Sequence, residues 1–319
     1  MTGAPFPFSD LLAVSGAALE LLWWPGTRLL GLAGQTTLLL ALLYAIHRGL
    51  DHWWPRAFGW RGFLTFTAAG TVVHELGHAL AAMVLGHRLR RCHLFRPDRP
   101  SGYLGRIDHE PPRPRWRSAR RLSDTIWRIA IPLAPLPMGM AALAAATHLL
   151  GPGALHRTLN TLTDAGTAAE RFGNLFSPAP LAEALTAMLS LLGDPALWSD
   201  WRWYPLLYLT ASLVSALFPS EEDWRTLRPA LPALAVLFWV GSILSGAVAG
   251  GGMMAAVPLD RFGALAGAVL PRLNAILVLA GMIGAAALLF AVVVRIARSG
   301  SGAVRFHQPL HQVQTDVEG

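Results

Sequence analysis

The 319-residue chain contains no lysine, a single cysteine and few charged side chains of either sign. One cysteine, Cys92, excludes both an internal disulfide and a zinc site built from Cys-x-x-Cys pairs. Charged residues make up only 14% of the chain and hydrophobic residues 53%, with a mean hydropathy of +0.43. This balance lies outside the range of soluble globular domains and predicts a membrane protein.

All of the positive charge lies on arginines, which give a formal net charge of +7. The arginines cluster between apolar segments, which is typical of the loops of a membrane protein rather than of a nucleic-acid-binding surface. We therefore predict a lipid bilayer as the surroundings and no nucleic-acid partner. The N-terminus lacks a basic region followed by a short apolar core and a small-residue cleavage site, so no removable signal peptide is expected.

Uncharged apolar segments are long enough to cross a membrane. Residues 230–258 and 273–294 carry no ionisable side chain, and each exceeds the roughly 20 residues that a helix needs to cross a hydrocarbon core of about 30 Å. We predict an all-α polytopic membrane protein. Its transmembrane helices, about six in number, are predicted near residues 29–47, 63–86, 129–150, 203–219, 231–250 and 273–294.

The apolar pattern divides the chain into three parts. Residues 1–28 form an N-terminal segment, in which 8–24 is either an interfacial helix or a seventh span because Glu20 interrupts it. Residues 29–296 form the transmembrane domain. Residues 297–319 are polar and are predicted to be a disordered cytoplasmic tail. We find no internal repeat and no appended soluble domain.

The arginines also predict an orientation. Loop 88–121 holds eleven arginines against three acids, so the positive-inside rule predicts that this loop and the C-terminus are cytoplasmic, in a membrane of the bacterial cytoplasmic type. The long loop 151–202 is then extracytoplasmic. Its apolar stretch 181–192 is too short to span and is predicted to be an interfacial or re-entrant helix.

The strongest functional motif is His74-Glu75-Leu76-Gly77-His78, inside the predicted helix 63–86. Residues i and i+4 share a helix face, so both imidazoles can bind one zinc ion while Glu75 acts as general base on a metal-bound water. Near mid-membrane an ionised side chain costs about 2.5 kcal/mol or more, and such residues normally mark function. The alternative is a pair of neutral histidines and a protonated Glu75 that are hydrogen-bonded within a helix bundle.

A zinc protease requires a third protein ligand, with the fourth position left for water. The predicted span 203–219 ends at Pro219, which breaks a helix, and Ser220 and three acids follow. Irregular backbone of this kind is tolerated at membrane depth where it lines a polar cavity. Alternatively, the segment simply caps a new helix. The residues alone leave open the choice among Glu221, Glu222 and Asp223.

The motif His74-Glu75-Leu76-Gly77-His78-Ala79 in a hydrophobic helix resembles the active-site helix of the site-2 protease family of intramembrane zinc metalloproteases. In that family the third ligand is an aspartate on a later, locally unwound span, and members with a Pro-Ser-x-x-Asp form are similar to residues 219–223. The resemblance implies Zn²⁺ held by His74, His78 and Asp223, with Glu75 catalytic. The implied reaction is hydrolysis of a peptide bond in or near a transmembrane segment of a protein substrate.

The resemblance covers roughly residues 60–225, and no PDZ or CBS-like domain fits the remaining length. Family members carry a short β-hairpin at the membrane surface, followed by a helix that opens with prolines. Residues 88–95 and 102–109 are the corresponding strands, and residues 131–135 open the next span. An edge strand would hold an unwound substrate through backbone hydrogen bonds. Alternatively, the basic loop anchors on anionic lipid.

Two other classes of protein remain open on the sequence. A membrane di-iron oxidase or desaturase also uses His-x-x-x-His spacing, but it requires several histidine clusters and only one is evident. A non-catalytic membrane scaffold of the same fold would not need an intact His74, Glu75 and His78. The remaining histidines, among them His47 near a predicted span end, are expected to have no role in the site. Nothing in the sequence indicates an oligomeric state.

Overall fold

The computed structural model describes residues 8–98, 103–112, 117–164, 179–230, 232 and 259–300. Within these ranges the chain is mostly helical and contains one two-stranded hairpin, which confirms the predicted helical fold. The elements in chain order are α1 (Phe8–Val84), β1 (Arg88–His93), β2 (Arg106–Glu110), α2 (Arg117–Leu133), α3 (Pro135–Leu150), α4 (Gly153–Asp164), α5 (Ala179–Leu192), α6 (Pro195–Ser199), α7 (Trp203–Val214), α8 (Glu221–Leu227), a 3₁₀ turn (Arg228–Ala230) and α9 (Leu259–Gly300).

Two helical stretches among the described residues are long and apolar enough to cross a membrane. They are Asp124–Leu150 and Arg272–Ser299, and they correspond to the predicted spans 129–150 and 273–294. Length and apolar composition of this kind support association with a membrane. The predicted span 231–250, apart from residue 232, and the tail beyond residue 300 lie outside the described residues.

The three apolar segments predicted before residue 87 belong to one helical element, α1, which is kinked at Gly59. Gly59 has φ 71° and ψ −177°, a conformation that glycine adopts without the steric cost of a side chain. Across the kink, the Trp54 ring stacks on the Phe66 ring with centroids 3.8 Å apart. The indole N–H of Trp54 also donates to the Gly62 carbonyl at 3.3 Å. The kink therefore separates a helix before Gly59 from the helix that carries the His-Glu motif.

The chain divides into two compact units. The first comprises Met1–Ala41, Gly153–Leu197 and Arg228–Val278. Within this unit α4 packs against α5, and Leu155 and Met188 are fully buried.

The second unit comprises Leu42–Pro152, Trp198–Leu227 and Leu279–Gly319, and all the candidate site residues belong to it. Helix α3 packs against α7, and α2 packs against α8. The largest fully buried side chains of this unit belong to its apolar core: Leu43, Leu50, Leu143, Trp203, Leu206, Leu217 and Leu227.

The predicted hairpin is present, with shorter strands than expected. Strand β1 pairs antiparallel with β2, so that Cys92 lies opposite Ile107. Beyond the strands, the backbone N–H of Arg96 donates to the Leu104 carbonyl at 2.7 Å and that of Asp98 to the Tyr103 carbonyl at 2.8 Å. These bonds continue the pairing toward the hairpin tip.

Two predicted helix boundaries are corrected by the structure. The predicted span 129–150 is broken at Ala134, because Pro135 begins a new helix and cannot donate a hydrogen bond to the turn before it. The predicted span 203–219 ends as a helix at Val214, and Pro219 accounts for the early end in the same way. At the C-terminus, α9 continues to Gly300, so the predicted tail cannot begin at residue 297.

Candidate metal centre

Two glycines let the motif helix approach its neighbours closely. A Cβ atom at Gly70 would collide with the Ser212 carbonyl of α7, and one at Gly77 would lie 3.1 Å from the Ala134 carbonyl between α2 and α3. The backbone N–H of Gly70 also donates to Ser212 Oγ at 2.9 Å. Because these positions carry no side chain, α1 lies directly against the two places where the neighbouring helices are interrupted.

The interruption between α2 and α3 orients His78. Its Nδ1 lies 2.9 Å from the Ile131 carbonyl oxygen. In a continuous helix that oxygen would accept from the N–H four residues later, but residue 135 is proline and has none. Since a carbonyl only accepts hydrogen bonds, Nδ1 carries the proton. The neutral ring therefore directs the lone pair of Nε2 toward the site.

The second interruption orients His74 in the same way. Its Nδ1 donates to the Ala216 carbonyl at 2.9 Å. In a continuous helix the N–H of Ser220 would reach this carbonyl, but it donates instead to Asp223 Oδ2 at 2.8 Å. His74 Nε2 is therefore also left as an acceptor. Hydrogen bonds of this kind from the second ring nitrogen are typical of metal-binding histidines.

Asp223 has two structural roles. The Ser220 N–H donates to Asp223 Oδ2 at 2.8 Å, and the Asp223 N–H donates to the Ser220 hydroxyl oxygen at 3.2 Å. This reciprocal pair resembles a capping box and starts α8. The capping alternative therefore describes the local structure correctly. The same carboxylate also faces both histidines. The capping bonds therefore hold the potential metal ligand in place, and the two roles are compatible.

The three side chains have the spacing of a metal site. His74 Nε2 and His78 Nε2 are 3.1 Å apart, and Asp223 oxygens lie 3.5 Å from the first and 3.3 Å from the second. Zinc bonds of about 2.0–2.1 Å in a tetrahedron require ligand–ligand separations of about 3.3–3.4 Å. Among the described residues, this is the group of three acidic, histidine or cysteine side chains close enough to hold an ion.

The hydrogen-bond roles are also compatible with a bound cation. With both Nδ1 atoms donating to carbonyls, two imidazole lone pairs and a carboxylate meet at one point. Three acceptors at this separation repel one another unless a proton or a metal cation lies between them. His74 and His78 are each more than nine-tenths buried, so little water is available to separate them. The residues therefore fit a divalent zinc ion.

The structure distinguishes among the three acids of the segment. Glu221 lies 3.9 Å from the exposed guanidinium of Arg48. Glu222 accepts a hydrogen bond from the Tyr103 hydroxyl, and this bond raises the pKa of Tyr103. Only Asp223 belongs to the group with the histidines. Geometry thus favours the ligand that the family resemblance implied.

Glu75 lies on the side of the motif helix that faces the hairpin. It interacts electrostatically with both histidines and with Asp223, as expected for a base beside a metal. A Cβ atom at Gly105 would lie 2.5 Å from Glu75 Cγ and 2.9 Å from the Leu94 carbonyl oxygen. The hairpin therefore packs directly against the predicted general base.

Comparison of the chain with protein-family models, with curated proteins and with solved structures finds no match.

Two of the other histidines form a separate cluster. His87 Nδ1 and His109 Nδ1 are 2.9 Å apart, and both rings pack edge-on against Trp127. Burial is the main cause that lowers the pKa of His109, and the charge of the neighbouring His87 lowers it further. The two rings join the hairpin to α2 through Trp127 and are not part of the three-ligand group.

His47 is the residue whose surroundings the sequence analysis missed. It was expected to lie near a span end without a role. In the structure it is 8% exposed, its Nδ1 donates to the Ser215 carbonyl at 2.9 Å, and its Nε2 lies 3.4 Å from Asp51 Oδ2. The signals that could have indicated it are the i, i+4 spacing of His47 and Asp51 and the proline four residues after Ser215.

Replacing Gly105 with alanine tests the contact between the hairpin and the base. The added methyl group must displace Glu75 because the Leu94 carbonyl blocks the opposite shift. If Glu75 is the general base that the resemblance implies, hydrolysis should fall by about 100-fold, as a 1 Å displacement of a reacting group can cause. Bound zinc should not change. A suitable control is Gly281→Ala, whose methyl group would meet its nearest neighbour at an ordinary 3.9 Å. Full activity in Gly105→Ala would mean that this contact does not position Glu75.

Proposed function

We propose that this protein is an intramembrane zinc metalloprotease that hydrolyses a peptide bond in or near a transmembrane segment of a protein substrate. The observation that carries the proposal is the convergence of His74, His78 and Asp223 at ligand separations of 3.1–3.5 Å. The carbonyl bonds to both Nδ1 atoms leave the Nε2 atoms free to bind zinc. The resemblance of the same residues to the site-2 protease family supports the assignment.

The proposal includes a polytopic topology of about six spans in a bacterial-type cytoplasmic membrane, with the hairpin and the C-terminus on the cytoplasmic side. Exposed apolar side chains support contact with lipid. On α9, Leu289, Phe290, Val293 and Ile296 are 54–64% exposed. A patch of this kind is unusual on a soluble monomer, because it would be exposed to water. In a membrane the same side chains would contact lipid.

Zinc, when bound, supplies a Lewis acid that makes water available as a nucleophile near neutral pH. His74, His78 and Asp223 would hold it. Glu75 receives the proton of the attacking water and transfers it to the leaving amine, as a general base that becomes a general acid. Its position beside the histidines supports this role. Gly105 and the hairpin limit its movement away from that position.

The hairpin also supports a mode of substrate binding. A transmembrane substrate hides its peptide bonds in helical hydrogen bonds, so it must unwind before hydrolysis. Among the described residues the sheet consists of β1 and β2, so each strand has one edge that no other described strand pairs. An unwound segment that adds to such an edge would be held extended next to Glu75.

Metal analysis of the purified protein tests the proposal. The full chain, solubilised in detergent, is expected to contain one zinc per chain by mass spectrometry. It should cleave a tagged single-span reporter whose transmembrane segment contains a helix-breaking proline, and cleave a matched all-leucine reporter less readily. A chelator should abolish cleavage, and added zinc should restore it.

The competing classes correspond to different results of the same measurements. Two irons per chain would indicate a di-iron oxidase or desaturase instead. Absence of both metal and cleavage would indicate a non-catalytic scaffold. Neither class has a specific observation in its favour, since the described residues contain one histidine cluster with metal-site geometry and the histidines and Glu75 of the motif are intact.

A further inference from the structure

We infer that His47 is a positioning residue for the metal centre. By holding the Ser215 carbonyl, it fixes the adjoining Ala216 carbonyl, which sets the orientation of His74. The inference rests on the proposed zinc site. It assigns a role to a residue outside both the His-Glu motif and the Pro-Ser-x-x-Asp segment.

The segment after α7 leaves carbonyl groups that need partners. Helix α7 ends at Val214. In a continuous helix the Ser215 carbonyl would accept from residue 219, but Pro219 has no N–H. His47 Nδ1 donates to this oxygen at 2.9 Å, just as His74 Nδ1 donates to the next one. Two imidazoles therefore satisfy two consecutive carbonyls at the end of one helix.

The environment of His47 makes this hydrogen bond costly to lose. The side chain is 8% exposed, and its ring lies 5.7 Å from the ring of Phe218, centroid to centroid. A second aromatic ring, Tyr44, packs at the same place. Without His47, the Ser215 carbonyl would lose the side-chain donor that it has in the structure, and a buried carbonyl left without a donor is unfavourable. The segment would then shift to find another partner.

Asp51 holds the other side of the His47 ring. Nδ1 must carry a proton because it faces a carbonyl. Nε2 lies 3.4 Å from Asp51 Oδ2, so the carboxylate contacts the ring on the side opposite the Ser215 carbonyl. The ring is thus restrained at both nitrogens. A ring restrained in this way can fix the backbone to which it donates.

Displacement of the Ser215 carbonyl must reach His74 through the backbone. The Ser215 and Ala216 carbonyls belong to consecutive rigid peptide planes that meet at the Ala216 Cα. A rotation of the plane that contains the Ser215 carbonyl therefore changes the orientation of the next plane. That plane contains the Ala216 carbonyl, which accepts from His74 Nδ1. Partners of this kind behind a metal-binding histidine typically change metal affinity by 10–100-fold.

Zinc affinity of the full-length protein in detergent tests the inference without requiring proteolysis. His47→Leu removes the donor and should weaken zinc binding by about 10-fold, measured by competition with a chromophoric chelator. The visible absorption spectrum of the cobalt-substituted protein should shift, because the orientation of His74 changes. His47→Asn places an amide N–H at the Nδ1 position and should restore both affinity and spectrum. His52→Leu, an exposed histidine on the same helix, is the matched control and should bind zinc like the wild type.

If His47→Leu does not fold, His47→Gln replaces it, because its amide lies at the Nε2 position and cannot reach the same carbonyl. Wild-type affinity and an unchanged cobalt spectrum in the variants lacking the Nδ1 donor would overturn the inference and leave the proposed protease standing. Equal losses in the Asn and Leu variants would also overturn it, since the donor would then not matter. Failure of the wild type itself to bind zinc would overturn the proposed function together with the inference.

Discussion

Replacement of Glu75 by glutamine is expected to reduce peptide hydrolysis by about 10²–10⁴-fold, the usual contribution of a positioned general base. Glutamine has the same shape, but its amide cannot take up the proton of the attacking water. Bound zinc should be retained, because Glu75 is not one of the three ligands. The measurement is the cleavage rate of the proline-containing reporter by zinc-loaded protein, with metal content determined on the same sample.

Glu183→Gln is the matched control for this substitution. Glu183 is an exposed glutamate on α5, outside the site, and its substitution should leave cleavage and zinc unchanged. Wild-type cleavage by Glu75→Gln would remove the general-base assignment. Loss of zinc from that variant would instead indicate that Glu75 contributes to metal binding, contrary to the geometry described here.

Asp223→Ala is expected to lose bound zinc and, with it, all measurable cleavage. Two histidines remain, and a zinc site normally requires three protein ligands. Glu221→Ala and Glu222→Ala should retain full zinc, because neither side chain belongs to the ligand group. Metal content of the three purified variants, compared with wild type, is the measurement. Full zinc in the Asp223 variant would refute the assignment of the third ligand.

Because Asp223 also caps α8, its substitution removes two interactions at once. Ser220→Ala separates them, since it deletes the hydroxyl that bonds Asp223 Oδ2 at 2.7 Å and leaves the carboxylate. Loss of a cap costs roughly 1 kcal/mol of stability. We expect this variant to keep zinc, with affinity lower by about 10-fold at most. Complete loss of zinc from Ser220→Ala would mean that the cap, rather than the ligand, explains the Asp223 result.

The features that the sequence predicted well are those set by neighbours along the chain. The i, i+4 spacing of His74 and His78 places both rings on one helix face, and the structure brings their Nε2 atoms to 3.1 Å. The hairpin after the motif helix is present. The capping alternative for Ser220 and Asp223 was also sound, because a cap depends on only four consecutive residues.

The features that the sequence missed depend on residues far apart in the chain. The spans 129–150 and 203–219 were each predicted as one unbroken helix, but the structure has a break at Ala134 and a helix end at Val214. A hydrophobicity window measures only apolar composition, so it does not detect that Pro135 and Pro219 lack an N–H. His47 was dismissed because its partner, the Ser215 carbonyl, lies 168 residues away. Every residue has a backbone carbonyl, so the sequence does not show which carbonyl will accept a hydrogen bond from a side chain. A proline gives one indication, because it lacks the N–H that would otherwise bond the carbonyl four residues earlier.

The sequence by itself determined the chemical inventory: an apolar chain, two imidazoles one helical turn apart, a glutamate between them and three later acids. Only the tertiary structure decided which acid meets the imidazoles and which nitrogen of each ring faces the site. The physical reason is that proline interruptions expose carbonyls on neighbouring helices, and these carbonyls hold the Nδ1 atoms of His74 and His78. The close approach of the helices at Gly70 and Gly77 brings these carbonyls within hydrogen-bond distance of the two rings. The geometry of the ligands therefore depends on how the helices pack.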